Sequence, residues 1–385
     1  MEILHTLLSF VTSFLVAGTI TLGGLISGNL FAGEQSITIL PPSSAITTVA
    51  PPAPTASSLH IIGTSTPAKN FSTPKTKKPE AKPLTIAQPS SSTQPVQLTP
   101  SAISADDLNT QTRSALVNIL CLSQGGNIHS ISGSGVFVDS RGVILTNAHI
   151  GQLFLLKDYP SKDFVDCTIR IGSPAQPTYR AVLLYLPPAW VTDNASQITV
   201  QQAKGTGQND YAFLLVTGTT GPDSLPPSFP HLPMVIAEPD INVGEFLAAY
   251  PAGFLDGSNI EKNLYVSSAY AAVKELFTFG NGREIDLVSV GGTVVSQGGS
   301  SGGAMVRTQD GKLQGIIVTA TSADTTSQRD LRAITLAHID RSLVSHGQGG
   351  VVALLSQNLT EAAARFASTT AQVEKAQLVK ILEQH

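Results

Sequence analysis

The sequence is poor in cysteine, aromatic residues and charge. Its 385 residues include two cysteines and one tryptophan, with 6% aromatic and 13% charged residues. Two cysteines exclude a disulfide-dense small scaffold and a four-cysteine zinc site. Few aromatic side chains argue against carbohydrate platforms, and a formal net charge of −4 argues against nucleic acid as a partner. At about 100–200 residues per domain, the length predicts two domains, or one domain with non-globular sequence.

The N-terminal part of the sequence is uncharged and mostly apolar or small. From Thr6 to Gly33 there is no Asp, Glu, Lys or Arg. About 20 apolar residues span a bilayer as a helix, whereas a secretory signal has about 7–15 apolar residues behind a basic head. The head here is Met-Glu-Ile-Leu-His, and no good small-x-small cleavage site follows the run. For residues 1–35 we therefore favour a retained transmembrane anchor over a cleaved signal segment. The anchor would make the membrane a partner of the protein.

Proline, serine and threonine dominate the next part of the chain. Pro41 to Pro100 holds 12 of the 24 prolines. Such a segment cannot bury enough apolar area to offset the entropy of ordering, so we predict a disordered linker over residues 36–106. Its five lysines, Lys69 to Lys82, either keep the linker soluble or touch an anionic surface.

The remainder of the chain alternates short apolar runs with turn residues. Runs such as GVILTNAHI, YAFLLVTG and LQGIIVTAT are rich in β-branched residues. Many short strands without alternating helices predict an all-β antiparallel architecture over residues 107–346, long enough for two small barrels. Residues 347–385 are expected to form a loop and a C-terminal amphipathic helix, in which Leu359, Phe366 and Val373 recur every seven residues. This helix is expected to pack on the domain or to self-associate with a second chain.

Three stretches contain residues suited to nucleophilic catalysis. His149 follows a buried strand, and an imidazole with a pKa near 6.5 suits general-base work. Asp210 opens an apolar strand, where a carboxylate facing an imidazole N–H would fix its tautomer. Ser300 and Ser301 stand among four glycines, in a loop that allows two backbone N–H groups to point at one spot. Taken singly, each stretch is also explained by an ordinary histidine, a turn aspartate or a flexible loop.

Base, acid and hydroxyl occur in the order His149, Asp210, Ser301, which is the order found in chymotrypsin-like enzymes. GSGVFVDSRGVILTNAHI is similar to the strand–turn–strand that leads to the catalytic histidine of that family. NDYAFLLV resembles its aspartate-bearing strand, and GSSGGAM fits its G-x-S-G-G nucleophile loop. On these motifs, residues 108–345 resemble a chymotrypsin-fold (trypsin-like) serine protease of the HtrA/Deg-like bacterial type, here without a PDZ domain.

The resemblance implies two six-stranded antiparallel β-barrels with the active site between them. Ser301 would be the nucleophile, His149 the base and Asp210 the orienting acid, and the N–H groups of Gly299 and Ser301 would form the oxyanion hole. Ser300 is the rival nucleophile, but only Ser301 is followed at once by Gly-Gly.

Three positions bear on how well the sequence matches the family. Asp193 is a rival for the acid, although no apolar strand follows it. The residue after the two glycines is Ala304, where the family usually has Pro, and Ser300 stands where Asp or Asn is common. Neither departure removes a catalytic group.

The resemblance also implies a specificity pocket. Trypsin-type members carry an Asp six residues before the nucleophile, and here that position is Val295. The opposite wall would come from Val318, Thr319 and Ala320. A neutral pocket with small walls predicts a preference for a small or medium aliphatic residue before the scissile bond.

Cys121 and Cys167 would lie on neighbouring antiparallel strands of the first barrel, as either a disulfide or two buried thiols.

The function predicted from all these features is a membrane-tethered or secreted serine endopeptidase acting on protein or peptide substrates, with no cofactor and no metal. The alternative is a non-catalytic pseudoprotease, or a cell-envelope binding module, on the same fold.

Overall fold

The computed structural model of the protein describes residues 103–200, 205–280 and 282–384. The predicted anchor over residues 1–35 and nearly all of the predicted linker lie outside these ranges. Among the described residues, no helix is both long and apolar enough to cross a membrane.

The first element is helix α1 (Ala105–Ala115), which begins two residues before the predicted start of the domain. The Ser104 side chain caps it by accepting a hydrogen bond from the Asp107 amide.

The first sheet is a closed antiparallel barrel of six strands. The strands are β1 (Leu116–Ser123), β2 (Ile131–Asp139), β3 (Val143–Thr146), β4 (Val165–Ile171), β5 (Gln176–Tyr185) and β6 (Ala212–Thr219). They follow one another round the barrel in the order β1-β2-β3-β6-β5-β4. The apolar runs in the sequence form these strands because β-branched and aromatic side chains pack well on a pleated surface. This barrel matches the first of the two predicted barrels.

The second sheet has seven strands rather than the six of a second closed barrel. They are β7 (Gly244–Ala249), β8 (Ser267–Ala272), β9 (Glu275–Phe277), β10 (Leu287–Gly291), β11 (Ala304–Arg307), β12 (Leu313–Ala320) and β13 (Leu331–Thr335), in the order β8-β7-β11-β12-β13-β10-β9. The two edges, β8 and β9, are consecutive parts of one bent segment. Val273 N–H donates to Val243 O at 3.0 Å, and Lys274 N–H donates to Ser289 O at 2.8 Å. The chain therefore changes its partner strand between these two residues, and one strand is divided into two.

Helices connect and cover the two sheets. They are α2 (Ala148–Gly151), α3 (Pro188–Asn194), α4 (Gly257–Lys262), α5 (Leu336–Ser345), α6 (Val351–Leu355), α7 (Leu359–Ser368) and α8 (Thr370–Leu382), with short 3-10 helices at Gln152–Leu156, Ala195–Thr199 and Thr326–Gln328.

The C-terminal segment is broken where the sequence predicts one amphipathic helix. Thr369 separates α7 from α8 with φ −123° and ψ −92°, outside the helical region. Its Oγ1 donates to Arg365 O at 2.7 Å, a local bond that competes with continued helix formation. The Phe366 ring lies 6.2 Å from the Tyr185 ring of β5, measured between centroids. The helices therefore pack on the first barrel, which is one of the two placements predicted for them.

Two internal links tie the strands together. Cys121 on β1 and Cys167 on β4 face each other in register and are joined by a disulfide with an Sγ–Sγ distance of 2.02 Å. Arg170 on β4 is 1% exposed, and its guanidinium donates to the Ile260 and Glu261 carbonyls at 2.9 and 2.6 Å. Because those carbonyls lie in α4, between two strands of the second sheet, Arg170 fastens the first barrel to the second sheet.

Candidate active site

His149 is held at the end of β3 by the short helix α2. Its Nδ1 lies 2.8 Å from Asp210 Oδ2, and its backbone N–H donates to Asp210 Oδ1 at 2.9 Å. The His149 side chain is 24% exposed and that of Asp210 is 10% exposed. One carboxylate thus fixes both the ring and the backbone of the histidine. The other ring nitrogen, Nε2, has no hydrogen-bond partner among the described residues and is not fully buried.

The turn before β6 presents Asp210 to the histidine. Asn209 has φ 58°, a left-handed conformation that Asn tolerates better than most residues. Asn147 Nδ2 donates to Asp210 O at 2.8 Å, and Ser342 Oγ of α5 donates to Asn209 Oδ1 at 2.8 Å. Asp193, the rival acid, is exposed on α3 and makes no hydrogen bond with His149. The structure therefore places Asp210, and not Asp193, beside the imidazole.

The electrostatics of the pair favour a protonated histidine. Burial opposes protonation of His149, but the negative charge of Asp210 and its hydrogen bond outweigh that effect and raise the pKa of the imidazole above its usual value. A base with a raised pKa holds an abstracted proton more firmly, which suits a group that must carry one between two half-reactions.

A second histidine–aspartate pair lies elsewhere in the molecule. His338 Nδ1 is 2.7 Å from Asp286 Oδ1, and Arg341 donates to the same oxygen at 2.8 Å. Burial opposes ionisation of Asp286, but hydrogen bonds from His338, the Phe279 amide and Arg341 hold its pKa well below the usual range. His338 Nε2 is buried without a partner. This pair lacks the accessible ring nitrogen that a base needs, so His149 is the better candidate.

The glycine-rich loop distinguishes the two candidate nucleophiles. Ser300 is 1% exposed, and its hydroxyl is buried without a hydrogen-bond partner. Ser301 is half-buried, and its Oγ makes no hydrogen bond to another described residue. An accessible and unengaged hydroxyl is what a nucleophile requires, and Ser301 has it.

Hydrogen bonds orient every peptide group around Ser301. Four successive carbonyls are each engaged: Gly298 O by the Ala252 N–H at 2.7 Å, Gly299 O by Ser134 Oγ at 2.8 Å, Ser300 O by the Gly303 N–H at 2.9 Å, and Ser301 O by the Ser134 N–H at 2.7 Å. In a trans peptide the N–H points away from the preceding C=O, so each engaged carbonyl fixes the direction of the next amide.

Between Gly299 and Gly303, two amides remain without an acceptor among the described residues. The Ser300 and Gly302 N–H groups donate to Gln297 O at 3.3 Å and Ile317 O at 2.8 Å, and Gly303 donates to Ser300 O. The amides of Gly299 and Ser301 donate to no other described residue. These are the two groups that the sequence assigns to the oxyanion hole.

Glycine is required at two positions of the loop. Gly299 has φ +87°, and a Cβ there would lie 2.7 Å from Tyr250 O. Gly302 has φ +82°, and a Cβ there would lie 2.0 Å from Ser134 O. Both positions combine a left-handed backbone with close backbone contact, so no other residue fits without movement.

The structure brings the serine loop against the strands that lead to the histidine. Ser301 O accepts from the Ser134 N–H of β2, and Ser134 O accepts from Thr146 Oγ1 of β3 at 2.7 Å. Thr146 is three residues before His149. No hydrogen bond joins Ser301 Oγ to His149 Nε2 in this structure. Catalytic hydrogen bonds are often long in the free enzyme and tighten when substrate binds.

The residues predicted to line the specificity pocket lie at different depths. Val295 is fully buried in the core of the second sheet, together with Met305 and Ile317. Val318 is 3% exposed and packs towards Gly207, in the turn before Asp210. Ala320 is exposed, and Thr319 pairs through its backbone with β13. The side-chain placement of Thr319 lies outside the described structure.

Two residues of the site were not singled out from the sequence. Ser134 contacts the nucleophile loop through its side chain and its backbone, and Asn147 braces Asp210. Both are buried polar residues next to apolar strand sequence, in GSGVF and LTNAH. A buried polar side chain needs a specific partner, but the sequence does not show which residue that partner is.

The closed barrel, the accessible histidine–aspartate pair and the anchored glycine loop define a chymotrypsin-fold serine protease domain. Residues 133–316 match the family model of the trypsin-like peptidase domain. This part of the chain is therefore a trypsin-like peptidase domain, and the protein is a serine endopeptidase.

Two solved structures are similar to parts of this chain. The Rv3671c protease from M. tuberculosis, in its active form, is 18% identical with a TM-score of 0.38, covering 68% of this chain and 93% of that chain. The HtrA-type protease AlgW with a tripeptide is 18% identical with a TM-score of 0.40, covering 64% of this chain and 65% of that chain. No curated protein matches the sequence.

Proposed function

We propose that this endopeptidase works through an acyl-enzyme on Ser301, with His149 as base and then acid and Asp210 as the group that orients it. The observation that carries the proposal is the bidentate Asp210–His149 contact beside the serine loop. Between Gly299 and Gly303, the two amides without an acceptor are those of Gly299 and Ser301, one on each side of the Gly299–Ser300 peptide. The second of them belongs to the proposed nucleophile itself.

The proposed reaction proceeds in two halves. Ser301 Oγ adds to the substrate carbonyl carbon while its proton passes to His149 Nε2, and the carbonyl oxygen becomes an oxyanion. The Gly299 and Ser301 N–H groups stabilise that charge, each by about 3–4 kcal/mol. The imidazolium, stabilised by Asp210, protonates the leaving amine as the C–N bond breaks. Water then attacks the ester in the same way and restores the serine hydroxyl.

Active-site labelling tests this assignment. The full chain is treated with a fluorophosphonate probe, which phosphonylates an activated serine. We expect Ser301→Ala to abolish labelling and the matched variant Ser300→Ala to retain it. Labelling that survives Ser301→Ala would show that another residue is the nucleophile.

The alternative is a non-catalytic binding module on the same fold. The observation that favours it is the absence of a Ser301 Oγ–His149 Nε2 hydrogen bond among the described contacts. The same labelling experiment separates the two functions, because a folded wild-type chain that is never labelled and cleaves no peptide library would be a pseudoprotease.

We also propose a preference for a small or medium aliphatic residue before the scissile bond. The apolar, uncharged Val295 at the position of the pocket base supports it. Profiling with a peptide library should show cleavage after residues such as Ala or Val. Cleavage after Lys or Arg would contradict the proposal. Cleavage after Asp or Glu would contradict it too, and would implicate Arg329, whose guanidinium donates to Ser296 O at 3.2 Å.

The proposed location is outside the cytoplasm, tethered to a membrane or secreted. It is supported by the uncharged run from Thr6 to Gly33 and by the disulfide between Cys121 and Cys167. Alkaline extraction of membranes from cells that make the full chain should leave the protein in the membrane fraction, or an intact mass should show a shortened chain in the medium. A full-length chain in the soluble cell extract would contradict both forms of the proposal.

A further inference from the structure

We infer that Ser134, a residue of the first barrel, is a positioning residue for the oxyanion hole of the second sheet. The inference rests on the proposed function, because it concerns the amides of Gly299 and Ser301. Its side-chain hydroxyl holds the peptide group between Gly299 and Ser300, which lies in the chain between the two donor amides. The orientation of that peptide sets how the two N–H groups converge.

Ser134 makes three hydrogen bonds that link β2 to the nucleophile loop and to the end of β7. The residue has no exposed surface. Its Oγ donates to Gly299 O at 2.8 Å and accepts from the Tyr250 N–H at 2.9 Å, so one hydroxyl joins the nucleophile loop to the end of β7. Its backbone N–H also donates to Ser301 O at 2.7 Å. A single residue of β2 therefore engages two of the four oriented carbonyls of the loop.

The other two carbonyls are held within the second sheet and its loops. Gly298 O is engaged by the Ala252 amide, and Ser300 O by the Gly303 amide. Those bonds fix the peptides on either side of the Gly299–Ser300 group. The group itself has one other hydrogen bond, from the Ser300 N–H to Gln297 O at 3.3 Å, which is longer than usual for an N–H···O bond. Glycine has no Cβ to restrict its ψ angle, so this long bond alone holds the peptide weakly. The Ser134 hydroxyl is the only anchor of this carbonyl among the described residues.

The same hydroxyl also holds the backbone of Tyr250, which lies against Gly299. Gly299 lies so close to Tyr250 O that a Cβ there would be 2.7 Å away. Tyr250 in turn donates its amide to Ser134 Oγ. Removing the hydroxyl leaves one buried amide and one carbonyl without a partner, and the loop can regain hydrogen bonds by moving. Movement of the loop would separate the two amides from the position of the oxyanion.

Replacing the hydroxyl tests the inference by kinetics and by inhibitor binding. In the full chain we expect Ser134→Ala to lower kcat about 10- to 100-fold, with KM changed less than about 3-fold, since the loss falls on the transition state. A peptide aldehyde reports the same interaction. Ser301 Oγ adds to its carbonyl carbon, the hydroxyl proton passes to His149, and the aldehyde oxygen enters the hole. Its Ki should rise by a factor similar to the fall in kcat, while the Ki of the matching peptide acid stays constant.

Thr335→Ala is the matched control for loss of a buried hydroxyl. Thr335 is also fully buried, and its Oγ1 likewise donates to a carbonyl, Ile285 O at 2.9 Å, and accepts from an amide, that of His338 at 3.0 Å. It should lower stability without changing kcat or the Ki of the aldehyde. Ser134→Thr, which keeps the hydroxyl, should restore most of kcat, and Ser134→Cys, a weak donor of similar size, should give an intermediate value.

The outcomes separate this inference from the proposed function. A wild-type chain that is not labelled at Ser301 would defeat the proposed function. An active wild type whose Ser134→Ala variant keeps kcat and aldehyde Ki within about 2-fold would defeat the inference alone. So would equal losses in Ser134→Ala and Thr335→Ala. If the alanine variant does not fold, Ser134→Cys is judged by the same two limits.

Discussion

His149 and Asp210 are joined by two hydrogen bonds that have different effects. The bond to Nδ1 fixes the tautomer of the ring, and the bond from the backbone N–H fixes the position of the whole residue. A variant that keeps the shape of Asp210 but loses its charge therefore preserves much of the geometry while it removes the stabilisation of the imidazolium.

The pH dependence of activity follows from the raised pKa of His149. In the proposed mechanism the neutral imidazole is the base, so kcat/KM should rise with pH through an apparent pKa above 6.5. In Asp210→Asn the charge that raises the pKa is gone while burial still lowers it, so the apparent pKa should fall. We also expect kcat to fall by about 10⁴-fold.

Initial rates between pH 5 and pH 9 measure both quantities. The matched control is Asp193→Asn, which removes an exposed carboxylate that does not contact the histidine and should leave the profile unchanged. An Asp210→Asn profile that overlays the wild type would contradict the assigned role of Asp210.

The sequence points to candidate reactive residues more readily than to the residues that hold them. His149, Asp210 and Ser301 were proposed from the sequence because their chemistry and order are typical of one family. Ser134 could not be assigned, because its importance comes from contact with Gly299, a residue 165 positions away in the chain. Local sequence does not encode such a pairing.

Among the elements, helix α8 contains a buried acid that the proposed reaction does not use. Glu374 is 1% exposed, and neither of its carboxyl oxygens has a partner among the described residues. Burial raises its pKa to about 8. In the unfolded chain the pKa would be near the ordinary value of 4.5. The folded protein therefore binds one more proton than the unfolded chain between these two pH values.

This difference predicts that ionisation of Glu374 weakens the fold as pH rises. The contribution of Glu374 to the free energy of unfolding should fall from about pH 4.5 to pH 8 and then level off. Glu374→Gln has no such ionisation, so its stability relative to wild type should increase over the same range, by about 2–5 kcal/mol in total.

Urea unfolding of both proteins at pH 5 and pH 9 measures the effect. Glu245 is also buried, with its pKa raised to about 8 by burial, but it is present in both proteins and cancels in the comparison. A difference between wild type and variant that is the same at both pH values would contradict the prediction.

Elements whose pattern is local were predicted, and elements that depend on distant contacts were not. The β-branched runs predicted strands such as β3 and β6, because alternation and turn residues are visible in a short window. The bend at Val273 and Lys274 was missed, since it arises where two different strands offer acceptors. The helix break at Thr369 was missed because the apolar repeat continues across it.

For the whole molecule, the disulfide joins the first and fourth strands of the closed barrel. Cys121 and Cys167 are separated by 46 positions in the sequence. In the chain-entropy picture, a link across a loop of that length stabilises the fold by about 4 kcal/mol. The double variant Cys121→Ala, Cys167→Ala should therefore melt about 8–16 °C below the oxidised wild type.

Thermal unfolding of oxidised, reduced and doubly substituted protein checks this value. The reduced wild type and the double variant should melt at similar temperatures. The mass of the unfolded, unreduced wild type should be unchanged by an alkylating agent. Equal melting temperatures for all three proteins would rule out a stabilising role for the disulfide.

The bent segment formed by β8 and β9 affects how easily the protein can aggregate with other polypeptide chains. Open strand edges act as templates on which foreign strands can pair and initiate aggregation. The first barrel has no edge, and the free borders of the second sheet are only six and three residues long. This architecture therefore leaves other polypeptide chains little sheet border on which to pair.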